Sequence, residues 1–176
     1  MTSRNEKPFN GVATVSALKE FLLEKKRKIT MDINANVISF KNIEKAKSFV
    51  RLIEMMLATE YFNSKNSKYK VYELMQVLKD RDQVFERKIK ELSSKIKTME
   101  YNLDHSEEFN VPEGYVIPDE KDSYIMSIEP RRREYLWKIE AVRDELKAYE
   151  YKLKVCRNLK GIISRPNGFF SSVYKK

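Results

Sequence analysis

Residues 71–103, VYELMQVLKDRDQVFERKIKELSSKIKTMEYNL, place Val71, Met75, Leu78, Asp82, Phe85, Ile89, Leu92, Ile96, Met99 and Leu103 at alternating steps of four and three. Apolar side chains at a 3.5-residue repeat make the seam of a coiled coil, and only Asp82 is polar here. A second seam of similar length follows at Tyr135, Ile139, Val142, Leu146, Tyr149, Leu153, Cys156, Lys160 and Ile163. Two matched seams in one chain predict an antiparallel coiled-coil hairpin over 68–164, about 50 Å long at 1.5 Å per residue. That register sets Val71 near Ile163, Leu103 near Arg131, and Lys160 near Leu74. Asp82 then falls beside Tyr149, Lys152 or Leu153. An unpartnered carboxylate in an apolar seam is costly, so Lys152 or the Tyr149 hydroxyl is expected to satisfy it.

Upstream, residues 1–11 have no periodicity and read as a flexible arm, and 12–62 read as a small basic head. Val15, Leu18, Phe21 and Leu22 give one face of a short helix that ends in the run Lys25, Lys26, Arg27 and Lys28, where cations suit the negative end of the helix dipole. Ile29, Met31 and Ile33 alternate with polar residues, and Val37, Ile38 and Phe40 resume beyond Asn34–Asn36. That pattern reads as a short β-hairpin, with a helical reading as the alternative. Asn42 can cap a second helix carrying Ile43, Ala46, Val50, Ile53 and Leu57, and Asn63–Ser67 has the composition of a linker. The predicted fold is mainly α, a small helical head joined to a long antiparallel hairpin.

Between the seams, residues 104–129 form a tip loop broken by Pro112, Gly114 and Pro118, with eight acidic side chains against one basic. Its apolar residues Tyr115, Val116, Ile117, Tyr124, Ile125 and Met126 either fold back on the hairpin or meet a protein partner. Pro130 suits the first turn of the returning helix. Residues 165–176 make a basic and aromatic tail.

Enzyme signatures are missing. The one histidine, His105, sits in the acidic loop, the four glycines stand apart from one another, and one Cys with one His is too few for a zinc site. No catalytic residue, metal or cofactor is expected. No apolar run reaches the length of a membrane span, the first residues lack a signal-peptide core, and the single Cys156 suits a reducing compartment, cytoplasm or nucleus. The net charge of +9 is uneven, with basic stretches on both sides of the acidic loop. Lys68, Lys70, Lys152, Lys154, Arg157, Lys160 and Arg165, with Phe169 and Phe170 as stacking surfaces, are therefore the candidate nucleic-acid contacts. The expected role is a non-enzymatic bridging protein, homo-oligomeric, touching nucleic acid at its basic end and a protein at its tip. The alternative is a protein-only scaffold or adaptor.

Overall fold

A computed structural model of the chain describes residues 6–114 and 123–176. The fold is mainly α: α1 (Val15–Asn34), α2 (Ile43–Leu57), and the long helices α3 (Val71–His105) and α4 (Ser123–Ser164), which pair as an antiparallel hairpin. No strand forms among the described residues. The chain divides into two compact units, one made of residues 1–83 with 153–176 and the other of 84–152.

In the first unit Thr14 caps α1, its Oγ1 accepting the Ala17 N–H at 3.2 Å. The helix does not stop at Lys25–Lys28 and the β-hairpin does not form. Ile29 and Ile33 continue the buried face of Leu18 and Leu22 at helical spacing, so the core they enter overrides the local alternation. Lys28 pairs with Asp32 one turn on at 3.2 Å, and the Thr30 hydroxyl donates to the Lys26 carbonyl at 2.8 Å. The turn residues end the helix instead. Asn36 adopts φ 59°, its N–H reaches the Ile33 carbonyl at 3.3 Å, and the Val37 N–H reaches Asp32 at 3.0 Å, the paired bonds of a Schellman stop. Asn42 precedes α2 as expected but does not cap it; its Nδ2 donates to the carbonyls of Val173 at 3.3 Å and Lys175 at 2.5 Å.

One core holds this unit together. Leu18 and Leu22 of α1, Ile53 and Met56 of α2, Leu78 of α3, and Leu159 and Ile162 of α4 are all fully inaccessible. Segments read as loose are tied to it. The Phe9 N–H donates to the Ile163 carbonyl at 2.7 Å and its ring packs on Phe21, while the Glu6 carboxylate accepts the N–H groups of Asn167 and Gly168 at 2.6 and 2.8 Å. Residues 6–11 are thus held rather than free. The tail folds as a 3-10 helix, Gly168–Tyr174, with Phe170 buried edge-on against Phe49 at 5.3 Å. The linker is ordered too, Asn66 Nδ2 donating to the Glu60 carbonyl at 2.6 Å.

In the second unit Leu92, Ile96 and Val142 form one cluster, and Leu103, Phe109 and Ile139 another. The Phe85 and Tyr149 rings lie 6.0 Å apart, and the Arg132 guanidinium closes the end of α3 by donating to the Leu103 carbonyl and to Asn110 Oδ1, both at 3.1 Å. The first described helical residue of α4 is Ser123, so Pro130 lies inside the helix and not in its first turn. Pro130 has no N–H for the Met126 carbonyl, and Arg131 Nε reaches back to the Ser127 carbonyl at 3.0 Å.

Two stability measurements check this packing. Asn36→Gly should be neutral within about 0.5 kcal/mol, whereas Asn36→Val should lose about 1–2 kcal/mol, because only the latter forces a branched side chain into the left-handed region. Phe170→Ala should cost about 3–5 kcal/mol in urea unfolding through the cavity it leaves.

Candidate nucleic-acid interface

Charge divides sharply between the two units. Residues 1–83 and 153–176 hold 22 basic and 10 acidic side chains, net +12, whereas 84–152 hold 13 and 16, net −3. A polyanion would therefore be drawn to the first unit.

Part of that positive charge is already engaged. Asp82 is met by Lys160 Nζ at 2.8 Å and by Arg157 Nε at 3.2 Å, and not by Lys152 or Tyr149. The register itself holds: the Cys156 thiol donates to the Leu78 carbonyl at 3.0 Å, close to the expected pairing. Lys160 was expected beside Leu74, but side chains lean toward the N-terminus of their own helix. On antiparallel helices that lean carries Lys160 and Asp82 toward each other. The Lys160 hydrogen bond, aided by Arg157, holds the Asp82 carboxyl below its ordinary range although burial opposes this. Burial pushes the Cys156 thiol up, which keeps it protonated and unreactive.

The run Lys25–Lys28 is likewise committed. Lys26 pairs with Glu54 at 3.2 Å, Arg27 with Glu24, and Lys28 with Asp32. Lys25 lies over the Phe21 ring at 5.7 Å, and its desolvation lowers its pKa.

The other expected contacts fall in different surroundings. Lys152 belongs to the acidic unit, its ammonium 4.9 Å from the centre of the Tyr149 ring. Lys154 is exposed on α4, and Arg165 is exposed just beyond the end of that helix. Phe170 is buried and Phe169 half-buried, both packed on Phe49, so these two rings are taken up by the core. Lys68 and Lys70 are exposed and make no ion pair among the described residues. They precede α3 where Val71 and Leu74 enter the same core as Leu159, Ile162 and Ile163 of α4.

Between these lysines stands Tyr69, half exposed, with Tyr72 more open still. Tyr69 lines a cleft of about 470 Å³ together with Glu60, Tyr61, Asn66 and Arg81. Within the cleft Arg81 bonds Glu60 at 2.9 Å and lies over the Tyr61 ring at 5.7 Å. The backbone at Tyr69 is tied to the start of α1, since the Val15 N–H donates to the Tyr69 carbonyl at 2.7 Å and the Val71 N–H to the Ala13 carbonyl at 2.8 Å. Tyr69 and Tyr72 were not among the expected contacts; the sequence signal for them is the Lys-Tyr-Lys triplet just before a helix.

No family model, curated protein or solved structure matches the chain. Among the described residues there is no group of three or more His, Cys, Asp or Glu placed to hold a metal, and no helix is long and apolar enough to cross a membrane. Of the expected partner-binding residues, Tyr115, Val116 and Ile117 lie outside the described residues, Tyr124 and Ile125 fall in the first turn of α4, and Met126 is exposed.

The Asp82 cluster gives a pH test. Its carboxyl is held below the unfolded value, so its contribution is complete above about pH 4 and is lost as pH falls through the folded pKa. Asp82→Asn should lose about 1–3 kcal/mol at pH 7 by urea unfolding, with the gap to wild type closing below about pH 4.

Proposed function

We propose that the chain is a non-enzymatic accessory protein that binds single-stranded nucleic acid through its basic unit and engages a protein elsewhere. The observation that carries this reading is the exposed Lys68-Tyr69-Lys70 run beside a cleft, in a unit of net charge +12. Single strands are held by cations that follow the phosphates and by aromatic faces on which bases stack, and this run supplies both within three residues. Lys154 and Arg165 add exposed charge, Tyr72 adds a second ring, and Phe169 and Phe170 serve the core instead.

The protein-only adaptor remains the second reading, favoured by one further observation. Phe40 is 93% exposed, with Met31 and Val37 also open within ten residues of it. Such apolar side chains suit a protein partner and contribute nothing to phosphate binding. In the bridging reading the two surfaces work together, nucleic acid at Lys68–Tyr72 and protein at Phe40.

Fluorescence anisotropy with labelled single-stranded oligonucleotides over a salt series tests this. Lys68→Glu with Lys70→Glu should weaken binding at least about tenfold and reduce the salt slope by about 1.4, and Tyr69→Ala should weaken binding with the slope unchanged. Absent binding near physiological salt, or binding indifferent to these changes, leaves the adaptor reading.

A further inference from the structure

Helix α4 carries a second heptad stripe that the hairpin does not use. Trp137, Ala141, Asp144, Ala148, Tyr151, Val155, Asn158 and Ile162 follow at steps of four and three, offset by two residues from the seam that faces α3. Two residues turn a helix by about 200°, so this stripe lies on the far side of α4 from its hairpin partner. In the first unit its members Val155 and Ile162 are buried at 2% and 0% exposure by the head core. Within 84–152 the same stripe is bare: Trp137 is 66% exposed, Tyr151 44%, and Ala141 and Ala148 are open. The stripe is thus covered in one unit and uncovered in the other, where Asp144 is its one charged member and is exposed.

The flanking charges say what covers it. Beside the stripe stand Lys138 and Glu145 on one edge and Glu140 and Lys147 on the other, all exposed. When two copies of α4 lie antiparallel across a two-fold axis, Ala141 faces the partner's Asp144 and Trp137 lies over the partner's Ala148. Glu140 then meets the partner's Lys147, and Lys138 meets the partner's Glu145. The symmetry repeats each pair, so all four edge contacts are attractive, and the large indole finds a small residue opposite. A parallel pairing would instead set each charge against the other edge of an identical helix, where Glu140 faces the partner's Glu145 and Lys147 approaches the partner's Lys152.

We infer that residues 137–148 of α4 form an isologous, antiparallel dimer interface with a second copy of this chain. This stands independently of the nucleic-acid reading, since it uses only the acidic unit. It gives the oligomer expected from the unpaired hairpin a defined surface.

Sedimentation equilibrium of the full chain at tens of micromolar tests it, with helicity followed by circular dichroism. Wild type should be dimeric, and Ala148→Arg, which fills the space opposite Trp137, should be monomeric. Glu140→Lys and Lys147→Glu should each weaken the dimer about tenfold, because each sets like charges together twice, and E140K/K147E should restore it. Lys147→Glu leaves the Glu140–Arg143 ion pair in place, which separates the interface from loss of that internal contact. Should Ala148→Arg lose helicity, the charge swap decides. A monomeric wild type, a dimer indifferent to Ala148→Arg, or a double variant no better than the single ones overturns the proposal.

Discussion

The structure depends on one apolar core that no contiguous piece of the chain can complete. Its fully inaccessible side chains come from both ends of the sequence: Leu18, Leu22, Ile53 and Met56 from the first sixty residues, Leu159, Ile162 and Val173 from the last twenty. Leu78 joins them from near the start of α3 and Cys156 from near the end of α4, with the thiol bonded to the Leu78 carbonyl. A head of about fifty residues buries too little surface to stand alone, and borrowing a turn or two from each long helix and then the tail supplies what is missing.

That borrowing explains which parts of the fold were legible in the sequence. The seams could be read because their repeat is local to each helix and persists for many turns. The β-hairpin over 29–40 was misread because alternation in five residues competes with a helical face that is apparent only from Leu18 and Leu22 onward, and the core decides between them. The arm and tail looked loose for the same reason. Their partners, Ile163 for Phe9 and Phe49 for Phe170, lie more than a hundred residues away and leave no local mark.

The candidate site was legible in charge but not in detail. Clusters of lysine and arginine mark the basic unit, yet spacing does not show which of them already hold a carboxylate. Arg157 and Lys160 lean along α4 onto Asp82, and Lys26 reaches across to Glu54 on another helix, so both depend on tertiary neighbours. The aromatics followed the opposite logic. Phe169 and Phe170 are hydrophobic enough to be drawn into the core, whereas Tyr69 and Tyr72, with polar tips, remain at the surface beside exposed lysines.

The convergence of distant segments also sets the order in which the molecule can form during synthesis. α1 and α2 emerge first with Leu18, Leu22, Ile53 and Met56 unsheltered, and they stay so until residues 153–173 have been made. Contacts of that sequence separation are slow to find, and an open apolar face invites association with other chains while it waits. The long helices need no such delay, since the cluster of Leu92, Ile96 and Val142 closes as soon as α4 folds back. The head core therefore cannot close until the end of α4 and the tail have been added, and until then its apolar face is open to association.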